Sequence, residues 1–265
     1  MSIHRHETAA VRPLGIVAAL PEELGDLVQA MRAEGPVETI VLGSREYHVG
    51  CAYGVPCVVA LARVGKVAAA ATTAVLIHRF EVRAVVFTGV AGGVAPVVRV
   101  GDVVVAETLL QHDLDASPLF PRYQVPLLGV ERFAADRSLA EQLRVAAQRF
   151  IDEEHEALAG RLQLHAAQVR QGLVISGDRF VSSETEVQAL RDALPDALAV
   201  EMEGAALAQV CFEHGVPCAI VRTISDTADD HAHASFANFL GTIAASYSSG
   251  ILRRFLQLHA AQAAA

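Results

Sequence analysis

Ala84-Val-Val-Phe-Thr-Gly-Val-Ala-Gly-Gly93 is the stretch whose reading decides the fold. Ala84 to Thr88 show no polar alternation and read as a strand buried on both faces, with helices covering a parallel or mixed sheet. The glycines from Gly89 onward read as a loop at its carboxyl end. Upstream, Leu14 to Leu20 is another buried strand. Pro21 then suits the first position of a helix. Leu24, Leu27, Val28 and Met31 fall on one helical face, which Gly35-Pro36 ends. Residues 38–62 are β-rich, and Gly65 to Phe80 is Ala-rich and helical.

Downstream, Val103 to Leu110 reads as a strand, 113–136 as irregular and 137–170 as mostly helical. Gly172 to Ser176 is a strand and Thr185 to Leu194 a short helix. Leu198-Ala-Val200 leads into a helix from about Glu203 to His214, ended by Gly215 and Pro217. Cys218 to Val221 is a strand closing on Arg222-Thr-Ile-Ser-Asp226. A last helix runs from Ser235, with Phe236, Leu240, Ile243, Tyr247, Ile251 and Phe255 on one face. This alternation predicts a single-domain three-layer α/β/α fold with a central mixed β-sheet over residues 13–258. Flexible tails are expected at 1–12 and 259–265.

The chain has 265 residues, 52% hydrophobic and 19% charged, which supports a large core. A formal net charge of −9 disfavours nucleic-acid binding. Apolar runs stop short of the ~18 residues of a membrane helix. Residues 1–12 carry no apolar signal core, so nothing points to secretion. Cys51, Cys57, Cys211 and Cys218 lack C-x-x-C spacing and read as buried free thiols, consistent with a reducing cytoplasm. Lys66 is the lone lysine; the other 20 basic residues are arginines.

Several motifs fail. Gly65-Lys66 lacks the other elements of a phosphate loop, and Gly89 to Gly93 lacks dinucleotide-fingerprint spacing. No G-x-S-x-G elbow occurs. His231 and His233 beside Asp229 and Asp230 form a conceivable metal cluster, but a polar loop is the simpler reading. His112-Asp-Leu-Asp115 likewise reads as a hydrogen-bonded loop.

Ligands of such sheets bind beyond the carboxyl ends of strands. Those ends are Leu20 to Glu23, Thr88 to Gly93, Ser176 to Val181, Val200 to Glu203, and Ser225-Asp226. They gather three carboxylates. Glu23 and Glu203 could simply favour helix N-termini; Asp226 could be a turn aspartate. Three acids at one end of one sheet are harder to explain singly.

The chain resembles the nucleoside phosphorylase/nucleosidase superfamily, and within it the 5'-methylthioadenosine/S-adenosylhomocysteine nucleosidases. The resemblance lies in Gly15-Ile-Val-Ala-Ala-Leu-Pro-Glu-Glu-Leu24, Val64-Gly-Lys-Val-Ala-Ala69, Phe87-Thr-Gly-Val-Ala-Gly-Gly-Val-Ala-Pro96 and Val100-Gly-Asp-Val-Val104. It continues in Ile175-Ser-Gly-Asp-Arg-Phe180, Ala199-Val-Glu-Met-Glu-Gly204 and Val221-Arg-Thr-Ile-Ser-Asp-Thr-Ala-Asp229. It implies hydrolysis of a purine N-glycosidic bond without cofactor or metal, in a cytoplasmic homodimer. By it, Asp226 protonates purine N7, Glu23 deprotonates the attacking water, and Glu203 accepts the ribose hydroxyls. Met202 packs on the sugar, Phe180 stacks on the base and the Val181 backbone reads its edge. Phe236 walls the 5' pocket; Leu20, Val64, Val90 and Ser225 complete the surroundings. An acid and a base on opposite sides of a sugar match inverting glycosidase logic.

Phosphorolysis is the alternative. It needs a cation for phosphate, and Arg63 is the candidate in the matched loops. A metal-dependent hydrolase using His231, His233 and Asp229, and a nucleoside-binding module without turnover, also remain open. Val90 stands where relatives often carry Ser or Thr, Gln111 where an aromatic is common, and 114–136 matches poorly, so the 5'-substituent is left open.

Overall fold

The computed structural model describes residues 12–162 and 165–263. The tail expected at 1–12 lies, from residue 1 to 11, outside the described residues. Ten strands among the described residues form one mixed sheet. They are β1 (Leu14–Ala18), β2 (Glu38–Leu42), β3 (Arg45–Ala52), β4 (Val55–Leu61), β5 (Ala84–Gly93), β6 (Val103–Gln111), β7 (Arg132–Ala134), β8 (Val169–Ser176), β9 (Ala197–Glu201) and β10 (Cys218–Asp226). Parallel pairing joins β1 to both β4 and β5, β10 to β5, and β8 to both β6 and β9. Pairing is antiparallel for β2–β3, β3–β4, β5–β9, β6–β10 and β6–β7. Since β5 pairs with both β9 and β10, strands β5, β10, β6, β8 and β9 close into a ring.

Eight α-helices cover the sheet among the described residues: α1 (Leu27–Glu34), α2 (Lys66–Phe80), α3 (Arg137–Phe150), α4 (Glu156–Leu162), α5 (Glu184–Ala193), α6 (Gly204–Glu213), α7 (Ala232–Phe239) and α8 (Ala245–Ala263). Neighbouring strand residues point to opposite layers, as the pleat requires. Ile16, Val59 and Val86 pack with Leu27, Leu143 and Phe255 of α1, α3 and α8. Val17, Val58 and Val85 pack with Leu76 and Leu207 of α2 and α6. Each such buried side chain contributes about 1.5–3 kcal/mol. The three layers expected from the apolar runs are present.

Three boundaries and the burial of one cysteine differ from the sequence reading. The first helix is not continuous from Pro21: Pro21–Glu23 is a 3₁₀ turn, and α1 begins at Leu27. Gly25 sits between them at φ +58°, where an added Cβ would lie 2.7 Å from the Ala245 carbonyl. β5 extends through the glycines to Gly93 because β10 and β9 pair with them. The frayed tail expected from 259 is helical to Ala263, with buried His259 Nδ1 2.8 Å from Gln142 Oε1. Cys51 is exposed, unlike the other three thiols. No described helix is long and apolar enough to cross a membrane.

Candidate active site

All eleven residues singled out from the sequence line one cavity of about 400 Å³: Leu20, Glu23, Val64, Val90, Phe180, Val181, Met202, Glu203, Ser225, Asp226 and Phe236. The cavity opens where β1, β5, β8, β9 and β10 end. Its carboxylates reach it because β5 has shed its side chains there. A Cβ on Gly89 would lie 2.9 Å from Glu23 Oε1 and 3.0 Å from Arg222 Nη1; one on Gly92 would lie 2.9 Å from Asp226 Oδ1. The glycine run is thus a strand that makes room for three buried charged groups.

Glu23 is held by backbone. Its Oε2 accepts from Ala19 N at 2.9 Å and Leu20 N at 2.8 Å; its Oε1 accepts from Val90 N at 3.0 Å. The helix N-terminus at which the sequence placed Glu23 is only a 3₁₀ turn, and these three N–H groups hold the carboxyl instead. Burial pushes its pKa up, against Arg222 and the backbone donors, which lower it. A carboxylate that is fully hydrogen-bonded yet raised in pKa is a stronger base than one in water.

Asp226 ends β10 beside a bulge: Ile224 pairs with Ala91 and Asp226 with the next residue, Gly92. Bulges re-aim side chains beside active sites. Asp226 Oδ1 accepts from Ala228 N at 2.8 Å, and Oδ2 lies 2.8 Å from Ser225 Oγ. Ser225 Oγ also lies 3.3 Å from the Ala91 carbonyl. The hydroxyl has one proton to give. When Ala91 receives it, the contact to Asp226 is completed by a proton on the carboxyl. Burial raises the Asp226 pKa, in the direction of that protonated form.

Glu203 Oε1 accepts from Gly65 N at 2.8 Å, and Oε2 lies 4.0 Å from Arg222 Nη2. Burial and then Glu201 raise its pKa. It precedes α6 but caps nothing with its side chain. Glu201 takes the capping role, accepting from Glu203 N at 3.2 Å and from Gly204 N at 2.8 Å.

Three residues of this framework were missed in the sequence: Glu201, Arg222 and Ser176. Arg222 is fully buried. Its Nε donates to Glu201 Oε2 at 3.1 Å, its Nη2 pairs with the same oxygen, and its guanidinium lies 4.1 Å from the Phe87 ring centroid. Ser176 Oγ donates to Glu201 Oε1 and accepts from Ala205 N at 2.7 Å. Arg222 therefore stands against Glu23, Glu201 and Glu203. The available signal was an arginine directly after the apolar run Cys218 to Val221; a buried strand admits such a charge only with partners.

The apolar side of the cavity is also assembled. Phe180 stacks on His233 at 4.6 Å and meets Phe236 edge-on at 5.6 Å. The phenylalanine loop is anchored by the lone lysine: Lys66 N donates to Asp178 Oδ1 at 2.7 Å, and Lys66 Nζ to Asp113 Oδ1 at 2.6 Å. Asp113 Oδ2 accepts from Asp178 N at 2.9 Å, so the His112–Asp115 loop is hydrogen-bonded as expected.

The proposed metal cluster does not assemble. Asp229 accepts from Thr227 Oγ1 and from His231 N, His233 is spent on Phe180, and no three His, Cys, Asp or Glu among the described residues could hold an ion. Arg63 does not line the cavity either; its Nη2 donates to Ser44 O at 2.7 Å in a neighbouring depression. Arg179 does line it, paired with Glu186.

This strand-end cavity, with buried acids facing an aromatic wall, is that of a nucleoside-processing fold, and the chain belongs to the Phosphorylase superfamily, whose family model matches residues 13–257. Within that superfamily its relatives are nucleosidases. The chain is 37% identical over 244 residues to 5'-methylthioadenosine/S-adenosylhomocysteine nucleosidase of Geobacillus kaustophilus, covering 92% of this chain and 96% of that one. It is 35% identical over 230 residues to aminodeoxyfutalosine nucleosidase of Helicobacter pylori, covering 87% and 92%. Its fold matches the Neisseria meningitidis 5'-methylthioadenosine/S-adenosylhomocysteine nucleosidase in complex with methylthio-immucillin-A, with a TM-score of 0.82 at 35% identity, covering 94% and 100%.

Proposed function

We propose that the chain hydrolyses the N-glycosidic bond of a 5'-modified adenine nucleoside, 5'-methylthioadenosine or S-adenosylhomocysteine among them, releasing adenine and the 5'-modified ribose. The observation that carries this reading is the placement of Asp226 and Glu23 in one cavity with different surroundings. Asp226 is the acid that gives a proton to purine N7 as the bond breaks, and burial shifts its pKa upward, toward the protonated form. Glu23, accepting three backbone N–H groups, is held as a base for the attacking water. Glu203 accepts the ribose hydroxyls, Met202 packs on the sugar and Phe180 stacks on the base, with the Val181 backbone at the base edge. Phe236, Leu20 and Val90 bound the sugar and its 5' group, and Ser225 steadies the acid.

Water rather than phosphate suits this cavity. The cation behind its carboxylates, Arg222, already faces three glutamates, and the arginine of its lining, Arg179, pairs with Glu186. A phosphate dianion would need a free one. The reading extends to a homodimer in the reducing cytoplasm, acting in methionine salvage. The test is adenine release from 5'-methylthioadenosine in phosphate-free buffer and with added phosphate. Equal rates with free sugar as co-product are expected; release only with phosphate, and a sugar phosphate as co-product, would overturn the reading.

A further inference from the structure

A second depression adjoins the nucleoside cavity and is chemically its opposite. Ala19, Leu20 and Val64 line both. The second is larger, about 710 Å³, and its lining includes Arg32, Arg45 and Arg63 together with Glu46 and His48. None of the three arginines has a carboxylate partner within ion-pair distance among the described residues. Arg45 donates from Nε to Ala62 O and from Nη1 to Gly43 O, and Arg63 from Nη2 to Ser44 O. A guanidinium carries five N–H donors, so each keeps several free. The one acid of the lining, Glu46, sits 3.6 Å from His48 Nε2.

The shared rim also sets direction. Asp226, Phe180 and Val181 line only the first cavity, and Leu20 and Val64 flank Glu23 and Gly65, the donor to Glu203. Under the functional reading above, the base lies at Asp226 and the ribose between Glu23 and Glu203. The 5' substituent then leaves across Leu20 and Val64 toward the arginines.

Resting on that reading, we infer that Arg32, Arg45 and Arg63 form an anion subsite that selects adenine nucleosides whose 5' substituent ends in a carboxylate. Guanidinium groups match carboxylates in bidentate geometry, and a tethered carboxylate needs no second binding event. A neutral short 5' group leaves the subsite unused. Arg45 is tied down on two carbonyls and so pre-set, while Arg32 and Arg63 are exposed and adapt to tail length.

The experiment measures dissociation constants and turnover for two nucleosides that differ only at the tail, 5'-propylthioadenosine and 5'-(3-carboxypropylthio)adenosine. Native protein is expected to bind the carboxylate roughly tenfold more tightly, with the advantage shrinking as salt rises. The ratio of the two affinities should fall to about one in the double variant Arg32→Gln/Arg63→Gln, recover in part in Arg63→Lys and increase in Glu46→Gln. A ratio near one in the native protein, or a ratio unmoved by the double variant, would overturn the subsite. Inorganic phosphate separates a free anion from a tethered one: if it tightens binding of the propylthio nucleoside, the arginines hold free phosphate and the inference fails. Absence of adenine release from both nucleosides would instead overturn the nucleosidase reading, while the binding ratio still judges the subsite.

Discussion

The two adjoining depressions differ in how their charges are held. In the first, the acids and the arginine among them are buried and engaged: Arg222 faces Glu201, Glu203 and Glu23, and Asp226 is bonded to Ala228 N and Ser225. In the second, three arginines line the opening, Arg45 and Arg63 bonded only to backbone carbonyls, and none is in ion-pair contact with a carboxylate among the described residues. Low dielectric makes the first arrangement rigid and costly to disturb, because a buried charge must be matched where it stands. Exposed charges are cheap to move and weakly coupled to the fold. The difference assigns chemistry to the first region and selection of substrate to the second.

Variants that unbalance the first region should show the largest effects. Glu23→Gln keeps the shape and removes the base; turnover should drop by about 10²–10⁴-fold with little change in binding. Steady-state rates with a parallel inhibitor titration check this, and a tenfold or smaller loss would place the base elsewhere. Arg222→Met should cost about 3–5 kcal/mol of stability, measured by urea unfolding, because Glu201 is left unpaired in the core. The sign with pH follows from Arg222 lowering the pKa of Glu23 and Glu203. Without it both carboxyls rise further above their unfolded values, and stability is lost as pH climbs through that raised range. The deficit should therefore be greater at pH 8 than at pH 5. Glu203→Ala should weaken ribosides about 10- to 100-fold while leaving free adenine nearly unaffected, the range of a charged hydrogen bond to the sugar; equal losses for both would contradict its sugar role.

The smallest effect belongs to a surface copy of the buried pair. Arg132 Nη1 donates to Asp196 Oδ2 at 2.5 Å and Nη2 to Oδ1 at 3.2 Å, both partners partly exposed. Arg132→Ala should cost under about 1 kcal/mol. A loss as great as that of Arg222→Met would dissolve the contrast between the two kinds of charge.

Legibility in the sequence followed the same division. Apolar runs such as Cys218 to Val221 and Ala84 to Thr88 marked the strands, because parallel strands are buried on both faces. Glu23, Glu203 and Asp226 were legible as acids at strand ends. What they bond to was not, since Gly65 N and Glu203 meet across 138 residues and Ala91 O and Ser225 across 134. Ring closure through β5, β9 and β10 depends on register between distant strands, which no local pattern encodes. The glycines at 89 and 92 looked like a loop because their use, room for carboxylates from other segments, is a tertiary fact. Glu201 sat two residues from Glu203 and was overlooked, although it caps α6 while Glu203 does not.

The central claim is that a protonated Asp226 drives departure of the base. Asp226→Asn measures it most directly, with turnover of 5'-methylthioadenosine and affinity for the same nucleoside read on one preparation. The account predicts a loss of about 10²–10⁴-fold in turnover with affinity kept within a few-fold, since the amide retains the shape but has no proton of suitable acidity to give. Turnover near that of the native protein would contradict it.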